Sequence, residues 1–133
     1  MTEESKQFLK KADHALEVAE ALMSDGYPSD AASKIYYAMF YAAQALLKSE
    51  GINVVKHSAV ESAVGYYFAK PGRVDVKYHR MLIDARKIRE IADYDIQDEI
   101  VEPEATLKLE EGKAFVAMIK NYLETVQHNK TSG

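Results

Sequence analysis

SDAASKIYYAMFYAAQALLKSE, residues Ser29 to Glu50, is the longest nearly uninterrupted helical pattern in the chain, and its reading decides the fold. At 100° per residue, Ala32, Ile35, Tyr36, Met39, Ala43, Leu46 and Leu47 gather on one side, as a core-facing helix requires. Lys34, Tyr37, Tyr41, Gln44 and Lys48 form a second stripe that mixes cations with aromatic rings. An ordinary solvated face would hold Glu and Lys there, so either another surface covers this one or it touches a ligand.

Working outward, residues 3 to 24 repeat apolar side chains at threes and fours (Phe8, Leu9, Ala12, Ala15, Leu16, Ala19), and Gly26 supplies a left-handed stop. Ser29 or Asp30 is expected to cap the second helix across a short link, making the first two helices an antiparallel hairpin. Beyond Gly51, the spacing Ser58-Ala59-Val60-Glu61 predicts a capping box and a third helix over 59–69, ended by Pro71-Gly72. A fourth helix over 74–92 and a fifth from Pro103 to about Val126 follow, separated by an acidic connection of about ten residues. There is no strand alternation, repeat or low-complexity tract. The expectation is an all-α, up-and-down bundle of four to five helices, one domain over residues 1–127 with a flexible tail over 128–133.

Composition excludes several classes. With no cysteine among its 133 residues the chain has no disulfide framework and no thiolate nucleophile or metal site. No apolar run approaches the roughly 18 residues of a membrane span, and the charged N-terminus lacks a signal peptide's apolar segment. A cytoplasmic protein without membrane association is therefore expected. The net charge of −4 argues against bulk electrostatic binding to nucleic acid, yet the charge is uneven. Basic residues dominate from Lys70 to Arg89 and acids from Glu90 to Glu111, which reads as two solvated faces of opposite sign, with a local phosphate-binding patch as the sharper alternative.

Dedicated chemistry is sparse. Phosphate-cradling glycine loops, dinucleotide fingerprints and serine-nucleophile signatures are absent. His14, His79 and His128 lack metal-ligand spacing, so neither a metal site nor a cofactor is expected. His57, at the start of the third helix, is either a phosphate-facing group among free amide donors or a half-exposed helix-start residue. Lys34 and Tyr41, seven residues apart, share a face but stand about 10 Å apart along the axis. Two copies of the second helix packed antiparallel would bring one chain's Lys34 towards the other's Tyr41. The rings of Tyr37 and Tyr41 face either such an interface or the monomer's own core.

Three ordered motifs resemble the HEPN superfamily, most closely its stand-alone members with a core of the type Asn-Arg-x-Tyr-Tyr-Ala-Met-Phe-His-Ala-Ala. Here the core runs from Ser33 and Lys34 through Tyr36, Tyr37, Ala38, Met39 and Phe40 to Tyr41, Ala42 and Ala43. Lys56-His57-Ser58-Ala59-Val60 resembles the family's Lys-His-Ser-Gly-Val, and Arg89 to Asp95 resembles its Arg-x-x-Ala-Asp-Tyr-Asp. The resemblance implies a helical bundle, commonly a homodimer, often beside a nucleotidyltransferase in a toxin–antitoxin-like pair. It also implies a metal-independent ribonuclease signature of Arg followed by His, and here Lys34 and Tyr41 stand at those two positions. Metal-free RNA cleavage needs a group that moves protons near neutrality, which an imidazole does and an ordinary phenol does not. Lysine meets a phosphate without arginine's fork. The expectation is a dimer joined through the second helix, with a degenerate ribonuclease motif. It binds a nucleotidyltransferase partner and a nucleotide or RNA through Ser33, Lys34, Tyr37, Tyr41 and His57, without confident catalytic residues. The alternatives are an active metal-independent ribonuclease and a small-ligand-binding bundle.

Overall fold

A computed structural model describes the backbone of residues 1–132 and the side chains of residues 1–127. Among the described residues there are five α-helices: α1 (Glu3–Ser24), α2 (Pro28–Lys48), α3 (His57–Val64), α4 (Val76–Tyr94) and α5 (Glu102–Ser132). A π-helical turn, Gly65–Ala69, extends α3. No strand occurs among the described residues, so the expected all-α bundle is the observed one. No described helix is long and apolar enough to cross a membrane.

The helix α2 is the axis of the molecule. Thirteen of its 21 residues are buried, and it touches each of the other four helices. Its expected inner stripe of Ala32, Ile35, Tyr36, Met39, Ala43, Leu46 and Leu47 is at most 3% exposed throughout. Because α2 is surrounded, burial spreads past that stripe to Ala38, Phe40 and Gln44. Gln44, expected on the outer stripe, is one of two buried polar or charged residues among the described residues. The other is Ser5, whose Oγ donates to the Ala45 carbonyl at 2.9 Å and so ties the start of α1 to the end of α2. That link fixes the antiparallel hairpin. The pairs Lys120–Asp13 (2.7 Å) and Lys113–Glu20 (2.6 Å) run α5 antiparallel along α1, and α5 packs against α2 as well.

Several boundaries differ from expectation, each for a local reason. No side chain caps α2. Pro28 opens it, giving up no amide and supplying the helical φ. Ser29, freed from capping, instead accepts a hydrogen bond from the Ile100 amide at 3.0 Å and anchors the 95–101 connection. The capping box at α3 does not form. The helix begins at His57 without a side-chain cap, and the Glu61 carboxylate turns to Arg86 (2.8 Å), a charge-assisted bond stronger than one to a neutral amide. The fourth helix starts two residues late because Asp75 accepts from the Lys77 amide at 2.9 Å and caps it. The last helix continues to Ser132, beyond the expected end near Val126, and takes in most of the expected 128–133 tail; Gly133 and the tail's side chains lie outside the described residues.

Candidate functional site

Lys34, Tyr37 and Tyr41 follow one another at spacings of three and four, so they project from one side of α2. Opposite them α1 presents Lys10, Lys11 and His14, and together with Ala15 and Val18 these residues line an open groove of about 550 Å³. Tyr41 lies half-buried against Phe8 (ring centroids 6.4 Å apart, planes at 28°), with the Lys11 ammonium 5.4 Å from its centroid. Tyr37 stands next to it at 6.2 Å. The lining carries three lysines, a histidine and two phenols, and no carboxylate. Lys10, His14 and Lys34 are exposed, and none of them forms an ion pair among the described residues. Uncompensated ammonium groups around a concave, partly apolar wall concentrate positive potential there, whatever the net charge of the chain.

A second cluster adjoins the groove through Tyr37. The Tyr36 hydroxyl, on the inward side of α2, shares a hydrogen bond of 2.9 Å with His57 Nδ1. The imidazole stacks on Phe40 (4.4 Å, 29°) and meets the Tyr37 ring edge-on at 5.8 Å. From α4 the Arg89 guanidinium lies over Tyr36 (5.1 Å), Tyr37 (5.6 Å) and Tyr94 (5.8 Å). Its Nη1 donates to the Tyr37 hydroxyl at 3.3 Å and lies 3.5 Å from Asp93, and its buried Nε has no hydrogen-bond partner. Ser33 Oγ donates to the same Asp93 carboxylate at 3.3 Å. Burial and the Arg89 charge hold the His57 imidazole below its ordinary titration range, so it is neutral at neutral pH. Burial pushes the Tyr36 phenol up to about 12, against the pull of Arg89, so it keeps its proton.

Of the residues singled out in the sequence, Lys34, Tyr37 and Tyr41 come together in the groove. Ser33 faces α4 instead. His57 lies across Tyr37 from the groove and lines a separate cleft of about 440 Å³ with Ser58, Ser62, Arg89 and the Arg86 pairs to Glu61 and Glu90. Tyr37 and Tyr41 are neither core residues nor fully exposed; they are half-buried walls. Sequence reasoning missed the contribution of α1, although Lys10 and His14 are four apart and Lys11 and His14 three apart, the spacing of a single helix face. It also missed Arg89 as a site residue, although Arg89 opens the third motif.

The geometry accounts for the three sequence motifs at once. Residues 33–43, 56–60 and 89–95, distant along the chain, meet around Arg89. Comparison with known proteins agrees. The HEPN domain model matches residues 5–128. The chain is 37% identical over 120 residues to "Putative toxin MJ0142" of Methanocaldococcus jannaschii, covering 90% of this chain and 82% of that protein. It is 32% identical over 124 residues to "Putative toxin MJ0605" of the same organism, covering 93% and 92%. With the UPF0332 protein glr0978 of Gloeobacter violaceus it shares 35% identity over 94 residues, covering 71% and 75%. A helical bundle with these three motifs assembled around one arginine, matched over nearly its whole length by the domain model, belongs to the HEPN family.

Proposed function

We propose that this chain is the HEPN component of a two-component, toxin–antitoxin-like system. In this reading it is a homodimer meeting through its second helices, which holds a nucleotide or an RNA strand in the Lys34–Tyr37–Tyr41 groove and works with a nucleotidyltransferase partner. One observation carries the binding part. In a chain of net charge −4, a groove lined by Lys10, Lys11, His14 and Lys34 with two phenols contains no carboxylate, and it sits where the family's ribonuclease pair stands. Ammonium groups meet phosphates, and half-buried tyrosine rings offer faces for a base. The names of the two archaeal relatives support the system-level part.

Retention without cleavage follows from the side chains at the two motif positions. Lys34 is a point charge lacking a bidentate fork, and Tyr41 is a phenol where proton transfer near neutrality wants an imidazole; losing such a group typically costs on the order of 10²- to 10⁴-fold in rate. A second reading, an active metal-independent ribonuclease, draws on a specific feature: His14 lines the same groove as Lys34 and Tyr41, so an imidazole is present there, supplied by α1.

One experiment separates the two. Purified protein is incubated with an end-labelled oligoribonucleotide in EDTA, and both retention and cleavage are followed for the wild type, Lys34→Ala, Tyr41→Ala and His14→Ala. The expected result is salt-sensitive binding that weakens in Lys34→Ala, with no cleavage by any form. Cleavage that vanishes in His14→Ala establishes the second reading instead. An absence of binding to RNA and to free nucleotides at low salt refutes both.

A further inference from the structure

On the α3–α4 corner the sequence Gly65-Tyr66-Tyr67-Phe68-Ala69-Lys70 places two tyrosines side by side next to a buried phenylalanine. The backbone there widens into the π-helical turn, closed by the Lys70 amide on the Gly65 carbonyl at 2.8 Å. Gly65 lets α4 come close: a Cβ at that position would lie 2.7 Å from His79 Cε1. Phe68 is fully buried, edge-on to Tyr122 at 5.8 Å and beneath the Arg73 guanidinium at 4.4 Å. With Phe68 committed inward, its two neighbours point out.

Tyr66 and Tyr67 are 63% and 44% exposed and take no part in the core. Their rings stand 4.9 Å apart at 86°, forming an open corner, and the Lys70 ammonium hangs 5.6 Å from the Tyr66 centroid. With Pro71 and Arg73 they line a cleft of about 540 Å³ that contains no carboxylate. Arg73 is neutralised by Glu50, which leaves Lys70 as the cation on the rim. Further along, Lys77 and Arg80 at the start of α4 are exposed and form no ion pair among the described residues. Just before the turn, α3 is tied to α4 through His79, whose Nε2 donates to the Glu61 carbonyl at 2.9 Å.

We propose that the Tyr66–Tyr67 corner, with Lys70 beside it, is a stacking platform for the unpaired bases of a single-stranded nucleic acid. This site is separate from the Lys34–Tyr41 groove and stands or falls independently of it. Two exposed aromatic faces with a cation one helical turn away are the elements by which single strands are held without sequence preference: rings stack on bases, and the ammonium meets the phosphate between them. A duplex hides its base faces and would engage only the cation. The apolar surface offered amounts to two rings and a proline amid polar neighbours, far less than a stable protein–protein contact buries. The positive rim suits a polyanion.

Fluorescence anisotropy with a labelled uridine dodecamer tests this, using the Lys34→Ala background so that the groove does not mask the corner. Tyr66→Ala should weaken binding by about 5- to 150-fold, while Tyr66→Phe stays within about twofold, because stacking uses the ring and not the hydroxyl. A dodecamer of abasic ribose phosphates, which loses stacking on both rings, should bind the unaltered corner at least as weakly as the uridine strand binds Tyr66→Ala. Lys70→Ala should lower the slope of log affinity against log salt by about 0.7. A deoxyuridine dodecamer that binds equally assigns the corner to single strands in general, and one that binds more weakly assigns it to RNA. Unchanged affinity in Tyr66→Ala, an equal loss in Tyr66→Phe, or equal binding of the abasic strand each overturns the proposal. So does a Tyr66→Ala variant that changes sedimentation from dimer to monomer, since a second copy would then cover these rings.

Discussion

Replacing Arg89 with methionine keeps a side chain of similar length and removes the charge together with its hydrogen-bond donors. The Arg89 side chain is 12% exposed and its guanidinium lies over the rings of Tyr36 (5.1 Å) and Tyr37 (5.6 Å), two contacts taken at the low end of the cation–π range, about 0.5–1 kcal/mol each. The hydrogen bond to Tyr37, at 3.3 Å, adds about 1 kcal/mol, and the pair with the more exposed Asp93 adds about 0–1 kcal/mol. Against this gross 2–4 kcal/mol stands the desolvation of a cation whose buried Nε has no partner, about 1–3 kcal/mol, which methionine relieves. The expected net loss is about 1 kcal/mol, a fall of about 4 °C in Tm for a domain of this size. Arg89→Ala also leaves a cavity and should cost about 2–4 kcal/mol. The charge has a second readout. Burial first, then Arg89, holds the His57 titration down, so in Arg89→Met the His57 ring resonances should titrate at higher pH than in the wild type. Urea denaturation and an NMR pH titration measure the two effects. A methionine variant more stable than the wild type, or a His57 midpoint that does not move, would show that Arg89 does not hold the cluster together.

Gly112→Ala should destabilise by about 1 kcal/mol in thermal melts despite alanine's better helix propensity, because the new Cβ would stand 2.9 Å from Cγ2 of the stiff, buried Ile35. Gly65→Ala should cost about 1–3 kcal/mol and loosen the His79–Glu61 hydrogen bond, seen as faster amide exchange in the 65–70 turn. The lowered His57 titration sets a pH dependence. The unfolded imidazole takes up its proton before the folded one, so its contribution is intact above about pH 6.5 and is lost as pH falls towards the folded value. Urea midpoints of the wild type should therefore drop between pH 7.5 and 5.5 by more than those of His57→Gln, and equal drops would count against the buried, neutral imidazole.

The core was legible wherever one face did one job. The inner stripe of α2 could be read from period alone, because the hydrophobic effect sorts residues on a central helix by angle. Caps were read less well, since Ser29 and Glu61 each had a tertiary partner, the Ile100 amide and Arg86, that outcompeted the local one. Gln44 was misplaced because α2 is enclosed on more sides than an amphipathic pattern implies. At the site, α2's own stripe carried Lys34, Tyr37 and Tyr41, while the α1 wall of the groove depended on how two helices dock, which neither helix states by itself. His57 could be found as a helix-start imidazole, but its engagement with Tyr36 and Phe40 required knowing which neighbours burial would bring.

The residues that identify the family and those that line the groove overlap only in part. The three motif stretches converge on Arg89, where Tyr36, His57 and Asp93 fix one another's positions, and this convergence makes a scaffold rather than a reactive surface: His57 is held neutral and hydrogen-bonded, and Tyr36 stays protonated. The first motif also reaches the groove: Lys34 and Tyr41 line it, and Tyr37 joins the two regions, with its hydroxyl on Arg89 and its ring in the groove wall. The groove's character is otherwise set by Lys34 and Tyr41 and by Lys10, Lys11 and His14, the last three lying outside every motif. A chain can therefore match the motifs closely while its groove gains or loses an imidazole, a cation or a carboxylate, and with it the ability to hold or to cut. Relatives that share the scaffold around Arg89 should differ in RNA binding according to the charge of their α1 rim. If instead binding followed the motif residues and ignored that rim, the division between scaffold and groove drawn from these contacts would be wrong.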